Sequence, residues 1–275
     1  MKPYLKTKDF FNTQKEFELL YDPTLDMLIT RPQPSDLSEY YKSDGYISHS
    51  DSKKSLTDKI YQFVKKYNIR RKVKLIDSLD LPGKRLLDIG AGTGDFLLAA
   101  KNKGWIIEGV EPSILARTNA YEKQIKLKEK IEDLQGAKFD VITLWHVLEH
   151  LPNLQNQITA ITSLLNPSGF LIIAVPNFKS YDAKKYKTFW AAFDVPRHIW
   201  HFSRKSIPLL FKKHNLQLVS TKPMLFDSYY VSLLSERYKT GKSNYLNAAL
   251  TGFVSNLKAY SSKEYSSLIY ILRKG

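Results

Sequence analysis

The spacing of apolar and polar positions changes along this chain, and each change marks a different kind of element. Residues 1 to about 50 are rich in Tyr, Pro and Asp and show no clear period. Their frequent aromatic residues predict an ordered N-terminal extension rather than a tail. Leu56, Ile60, Phe63, Val64 and Tyr67 then recur at helical spacing, and Val73, Leu75, Ile76 and Leu79 predict a second helix that Leu81-Pro82-Gly83 ends. From Lys84 short apolar runs take over. Strands are predicted at residues 85–89, 105–110, 139–144 and 170–175, with later candidates at 216–220 and 267–272. Helices are predicted from Phe96 to near Gly104, over 113–121 with Ser113 as cap, and over 154–165, followed by a turn at Asn166-Pro167-Ser168-Gly169. One more strand is expected between Ile125 and Leu134. Strands alternating with helices of about ten residues argue for a parallel sheet with crossover helices.

Composition narrows the class. The chain has 275 residues, 43% of them hydrophobic, enough for one α/β domain and a smaller appendage. Its longest apolar runs, such as Phe170 to Pro176, are far below the ~20 residues of a membrane span. Met-Lys-Pro-Tyr-Leu-Lys-Thr-Lys carries charge but no apolar run behind it, so it does not read as a secretory signal. There is no cysteine, which removes disulfides, thiolate metal sites and cysteine nucleophiles together and fits the cytoplasm. The formal charge of +15 comes from lysines dispersed along the chain. A lysine-rich soluble surface explains it, and weak association with an anionic membrane surface is a further partner expectation. No nucleic-acid partner is expected, because no aromatic–basic reading module is present.

The densest chemistry lies in Asp88-Ile89-Gly90-Ala91-Gly92-Thr93-Gly94, between a strand and a helix. Glycines allow a tight turn and close approach of a ligand to backbone. The spacing G-x-G-x-G is not the G-x-G-x-x-G of dinucleotide binders. A carboxylate two positions before the first glycine opposes a pyrophosphate and suits a cationic, amine-bearing ligand such as the methionine end of S-adenosylmethionine. Glu111 ends the next strand, where a carboxylate can accept hydrogen bonds from both hydroxyls of a ribose.

Leu87 to Gly94 resembles the first motif of class I S-adenosylmethionine-dependent methyltransferases, and Val110-Glu111-Pro112-Ser113 resembles their second, acidic motif. Phe139-Asp140-Val141-Ile142 followed by His146-Val147-Leu148-Glu149-His150-Leu151 is similar to the fourth-strand motif of the branch that includes ubiquinone-biosynthesis O-methyltransferases. Gly169 to Pro176 matches the fifth strand. The resemblance implies a Rossmann-like three-layer α/β/α sandwich with a seven-stranded, mostly parallel sheet whose last strand is antiparallel. It implies that Asp88, Gly90 and Gly92 face the methionine moiety, that Glu111 faces the ribose, and that Glu132 or Asp133 lies near the adenine. The expected cofactor-binding set is Asp88, Gly90, Ala91, Gly92, Gly94, Glu111, Pro112, Asp133, Trp145 and His146, with no metal ligand. Thr30-Arg31-Pro32-Gln33-Pro34, and Tyr40-Tyr41 through Tyr46-Ile47-Ser48-His49, resemble a region that in some relatives follows a cysteine-rich zinc-binding segment. This chain has no cysteine, so that zinc site is not expected in it. Asp194-Val195-Pro196-Arg197-His198 and His201-Phe202-Ser203 resemble a loop that borders the methyl acceptor in this fold. The expected organisation is residues 1–82 as extension and helical cap and 83–275 as methyltransferase domain, with 178–206 as a lid and acceptor segment.

Several side chains have two readings. His146 and His150, four apart, would share one face of a helix as zinc ligands do, and H-x-x-E-H is also an inverted zinc-peptidase order. The family context favours His146 lining the cofactor pocket and His150 closing the loop. Trp145 is either core or adenine wall. Trp190, Phe193 and Trp200 either pack a lid on itself or line a pocket for an aromatic or apolar acceptor. The expected catalytic residues are His198 or His201 as base, with Arg197 holding an acidic substrate group. The reaction implied is methyl transfer from S-adenosylmethionine to a small molecule. The rivals are a cofactor-binding protein without catalysis and an RNA-directed methyltransferase. The segment Trp145-His146-Val147-Leu148 is not the Asn-Pro-Pro-Tyr type used on exocyclic amines.

Overall fold

A computed structural model describes residues 1–34, 36–41, 56–134 and 136–275. The resemblance at Tyr46-Ile47-Ser48-His49 lies outside the described residues. In chain order the elements are β1 (Lys2–Lys8), β2 (Glu16–Asp22), β3 (Met27–Arg31), α1 (Ser38–Tyr41), α2 (Leu56–Asp77), β4 (Arg85–Ile89), α3 (Asp95–Lys101), β5 (Ile106–Val110), α4 (Ile114–Glu122), β6 (Phe139–Trp145), α5 (Leu154–Ser163) and β7 (Leu165–Pro176). There follow α6 (Tyr181–Tyr186), β8 (Trp200–His201), α7 (Ser206–Lys212), β9 (Leu216–Pro223), α8 (Asp227–Thr240), α9 (Tyr245–Ser262) and β10 (Ser267–Lys274). The chain divides into two compact units. The first comprises Met1–Asp44, His146–Leu154 and Ile173–Ile271, and the second Gly45–Trp145, Gln155–Ile172 and Leu272–Gly275.

The main sheet has six strands in the order β5-β4-β6-β7-β10-β9, and β4 pairs in parallel with both β5 and β6. This is the expected Rossmann-like α/β fold with one strand fewer than seven. The segment after Ile125 reaches the sheet only as an isolated parallel bridge between Val110 and Lys128, held by Lys128 N–H to the Gly109 carbonyl and Glu111 N–H to the Lys128 carbonyl, both 2.9 Å. The reason is in its composition. Lys126-Leu127-Lys128-Glu129-Lys130 offers one apolar side chain for burial, so the ladder stops after one residue and a 3-10 turn (Ile131–Leu134) follows.

Two other boundaries differ from expectation. The two helices expected before Leu81 are one, α2, because no Gly or Pro interrupts residues 56–77. The turn expected at 166–169 is the start of β7, where Asn166 donates its side-chain N–H to Asp140 Oδ1 at 2.8 Å. The N-terminal extension is a sheet. Strands β1, β2 and β3 form an antiparallel meander and β8 closes it, giving the order β1-β2-β3-β8. On β2, Phe17 and Leu19 point into the core while Glu16 is exposed and Glu18 half-buried, the period of two of a half-buried strand. Phe17, Leu19, Leu28 and Tyr40 pack with Phe178, Tyr186, Trp190, Phe193 and Val195 as the first unit's core. Trp190 and Phe193, expected in a lid, are therefore interior residues of that unit.

Candidate functional site

Two sets of polar residues are buried, one in each unit. In the second unit β4 delivers Asp88 and β5 delivers Glu111. The intervening loop carries Gly90, Gly92 and Gly94 at φ of 72, 53 and 74°, a region that side chains other than glycine rarely adopt. Nothing stands within 4 Å of a Cβ built on Gly92, so it is conformation rather than crowding that calls for glycine there. Gly94 combines both demands, since an added Cβ would press on Ala120 and Ile125 at 3.2 Å. The loop is pinned at both ends. Gly90 and Ala91 donate their N–H groups to the Val110 carbonyl, and Lys123 Nζ donates to the Thr93 carbonyl and to Asp95.

Glu111 organises the loop. Its Oε2 accepts the Gly92 N–H and its Oε1 the Ser113 N–H, both at 2.9 Å. Ser113 in turn caps α4, accepting from Ala116 N–H at 3.3 Å, as its sequence position predicted. Arg117 donates to the main-chain carbonyls of Glu111 and Pro112, fixing the strand end. Asp88 is 2% exposed, and its Oδ1 accepts the Thr143 hydroxyl at 2.6 Å. Burial pushes its carboxyl up to about 7, outweighing the opposing pull of the Thr143 hydroxyl and the Lys72 charge. Trp145, at the end of β6, lies edge-on to Phe96 and beneath the Lys72 ammonium at 4.4 Å. Its indole N–H is buried without a hydrogen-bond partner among the described residues. Asp133 does not join this set as a buried group. It is exposed and accepts the Lys130 N–H within its own turn.

These residues fit S-adenosylmethionine chemically. A buried carboxyl near the midpoint of its titration gains charge when a cation is brought to it, and the methionine ammonium is such a cation. Glu111 keeps acceptor capacity on both oxygens, since each carries two lone pairs and uses one. The orphaned Trp145 donor is free for a ligand acceptor.

The first unit holds the histidines. His146 sits at φ 58°, and Leu148–His150 is a 3-10 turn, so His146 and His150 do not share a helix face as their spacing suggested. His146 lies between Glu149, with Nδ1 to Oε1 at 3.3 Å, and Asp227, with Nε2 to Oδ2 at 3.1 Å. Both carboxylates stabilise its charged form against the cost of burial, and its pKa is raised to about 10. Glu149 is fully buried, and the His146 charge holds its carboxyl below the usual range despite desolvation. His150 Nδ1 lies 3.0 Å from the Arg197 carbonyl, and burial drives its pKa down to about 4. Glu149, His150 and His198 bring one ligating atom each within 4.8 Å of one another, a set that could hold a cation.

The expected catalytic trio is deeply embedded. Arg197, expected to clamp a substrate acid, has its guanidinium committed to the protein. Nε and one terminal nitrogen bind Asp194, that same nitrogen reaches Asp9 at 3.1 Å, and the other donates to the Tyr40 carbonyl at 2.9 Å. The ring of His201 packs edge-on against Phe193, and its Nε2 lies 2.9 Å from Thr30 Oγ1. The Thr30 hydroxyl spends its proton on the His198 carbonyl, so the His201 nitrogen is the donor of that pair. Burial holds the His201 ring well below its ordinary pKa. His198 places Nδ1 2.9 Å from the Ala192 carbonyl, so that nitrogen carries a proton and donates it, and Nε2 lies 3.9 Å from Asp194 Oδ2. The sequence did not single out Thr143 or Asp227, and it placed Asp194 only within the acceptor-loop resemblance. Only the i,i+3 spacing of Asp194 and Arg197 was a usable signal.

A family model for a methyltransferase domain matches residues 61–221. Ubiquinone biosynthesis O-methyltransferase of Coxiella burnetii is 32% identical over 114 residues, covering 38% of this chain and 49% of the relative. Its counterpart in Vibrio atlanticus is 35% identical over 111 residues, covering 36% and 47%. The chain thus spans about half the length of the curated relatives it matches. Among solved structures, magnesium protoporphyrin IX methyltransferase of Synechocystis PCC 6803 with bound S-adenosylhomocysteine superposes with a TM-score of 0.56 at 16% identity, covering 83% of this chain and 91% of that one. The cyclopropane synthase of Mycobacterium tuberculosis superposes with a TM-score of 0.52 at 14% identity, covering 74% and 84%, a likeness of fold alone. With the glycine loop, the two acidic strand ends and the matched span together, the chain belongs to the methyltransferase-domain family, in the class I S-adenosylmethionine-dependent group that includes the ubiquinone biosynthesis O-methyltransferases.

Proposed function

We propose that the protein is an enzyme that transfers a methyl group from S-adenosylmethionine to a small-molecule acceptor, an oxygen on an aromatic or apolar substrate, and that it works in the cytoplasm with its basic surface meeting anionic lipid. The observation that carries the reading is the pair of buried carboxylates Asp88 and Glu111 at the ends of adjacent parallel strands, joined by a loop of left-handed glycines. Asp88 binds the methionine ammonium and Glu111 the ribose hydroxyls, while Trp145 donates its free N–H. When bound, S-adenosylmethionine supplies an electrophilic methyl. The methyl would pass to the acceptor oxygen's lone pair, the sulfonium leaving as a neutral thioether that keeps the electron pair of the broken C–S bond. His198 Nε2 takes the acceptor's proton, with its tautomer set by the Ala192 carbonyl. A positioned base of this kind contributes about 10²–10⁴ in rate. Arg197 and His201 are positioning residues that hold the His198 segment through Asp9, Asp194 and Thr30.

Calorimetry with S-adenosylmethionine, S-adenosylhomocysteine and NAD tests the cofactor. The expected result is binding of the first two only, and NAD binding without response to either would overturn the reading. Transfer of labelled methyl into fractions of a host extract identifies the acceptor, with label in lipid or small-molecule fractions expected and label in RNA overturning the acceptor class. Once an acceptor is in hand, His198→Ala is expected to lose turnover with cofactor affinity unchanged.

A further inference from the structure

Helices α8 and α9 lie between the last two strands of the chain and pack on each other. α9 is built inside out. Its buried residues are small: Ala248, Thr251, Gly252, Ser255 and Ala259. A Cβ on Gly252 would meet the Tyr229 ring at 2.6 Å and its Cα at 2.9 Å, so the two helices approach to backbone contact there. The large apolar side chains Leu246, Leu250, Phe253, Leu257 and Tyr260 point away from that contact and are 56–82% exposed. Their spacing of four, three, four and three keeps them in one row. At about 100° per residue the row fills an arc of roughly 80° opposite the small face. A helix that serves only its own core turns its large apolar side chains inward, and a contiguous exposed apolar strip of this size marks an interaction surface.

Charge selects the occupant. Across residues 227–263 the basic residues Arg237, Lys239, Lys242, Lys258 and Lys263 are all exposed. The acids of the same stretch are turned to other work, Asp227 on His146 and the buried Glu236 on Asn247. Lys263 lies at the end of the row, its ammonium over the Tyr260 ring at 5.0 Å, and the exposed charge of the helix pair is positive, on a chain with a formal charge of +15. Two copies meeting face to face would bring exposed charges of one sign together, whereas an anionic lipid surface complements them. α9 is not long and apolar enough to cross a membrane. Its 18 residues make a rod of about 27 Å, with exposed tyrosines at both ends, Tyr245 and Tyr260, suited to the headgroup boundary.

We propose that α9 is an interfacial helix that lies flat on a membrane containing anionic lipid, its leucine–phenylalanine row in the acyl boundary and its lysines on the headgroups. This rests on the reading that the basic surface meets anionic lipid and assigns that contact to one element. The test is co-sedimentation of the full chain with vesicles of phosphatidylglycerol and phosphatidylcholine, or of phosphatidylcholine alone, at low and high salt. Wild type is expected to bind the anionic vesicles and lose them at high salt. Leu250→Glu with Leu257→Glu is expected to lower binding at least tenfold with an unchanged thermal midpoint, because both side chains are exposed. Wild-type binding that the double variant leaves intact would overturn the role of α9 while sparing the lipid contact. No wild-type binding at any composition would overturn both. A wild-type dimer in sedimentation equilibrium that the same variant dissociates, without vesicle binding, would make the row a self-association surface and overturn the proposal.

Discussion

Asp88 in the second unit and Glu149 in the first are both enclosed carboxylates, yet one is pushed up to about 7 and the other is held below its ordinary range. The difference lies in what the protein places beside them. Glu149 faces His146, and its neighbours in the first unit follow the same rule: Asp9 and Asp194 share Arg197, and Asp26 holds Lys179. Asp88 has a hydroxyl as its hydrogen-bond partner and only the field of Lys72 to favour its charge. Charge neutralised within the protein serves architecture. In the proposed reading, the Asp88 charge is left to be neutralised by the cation it binds, and the cost of keeping it buried favours a cationic ligand.

The largest effect is expected at Arg197. Arg197→Met strands the Asp9 and Asp194 carboxylates in the interior, and breaking a buried ion pair from one side costs about 3–5 kcal/mol. Urea denaturation is expected to show that loss, and Asp194→Asn in the same background is expected to restore part of it. Unchanged stability would mean that these pairs hold nothing together.

Asp88→Asn probes the other side and is expected to act in two directions. Losing a charged hydrogen bond weakens S-adenosylmethionine by about 1.5–3 kcal/mol. Stability moves the opposite way. A carboxyl whose pKa rises from 3.8 unfolded to about 7 folded binds more protons when folded, so wild type loses stability as pH climbs from about 4 to about 7. The variant is expected to lack that decline and to be the more stable protein above pH 7, by thermal melts across pH 4–9. A parallel decline in both proteins would show that Asp88 is not the titrating group.

The smallest effect belongs to His146. Its pKa is raised from 6.5 to about 10, so its contribution is complete below pH 6.5 and is lost as pH rises toward 10. About a third of its side chain is exposed, which screens the effect. His146→Gln is expected to flatten the stability profile between pH 6.5 and 10 without altering the slope that Asp88 imposes at lower pH. An unchanged profile in that window would remove His146 from the ion cluster.

The glycine-loop half was legible because its signals are local. A buried strand, three glycines and an acidic strand end between Arg85 and Glu111 state a turn, a conformation and a charge without reference to the rest of the chain. The third strand was less legible because its lysines contradict burial, and the structure reduces it to a single bridge. The first unit was illegible for a different reason. Strand β3 finds its partner in β8, and Arg197 finds Asp9 across 188 positions, so no window of the sequence contains the contact that gives either residue its meaning. His146 and His150 looked like helix neighbours by spacing, but the left-handed backbone at His146 breaks the period on which that reading depends.

The closure of β3 by β8 also sets an order of events during synthesis. Thr30 leaves the ribosome 171 positions before His201, its hydrogen-bond partner. At about 5–20 residues per second that interval is roughly 10–30 s. Throughout it Met27, Leu28 and Ile29, all buried in the finished protein, belong to a strand with one edge unpaired. Such an edge is a template for pairing with another chain. A nascent polypeptide stalled before residue 201 therefore carries an apolar strand with an open edge, whereas β4, β5 and β6 around the glycine loop have all emerged.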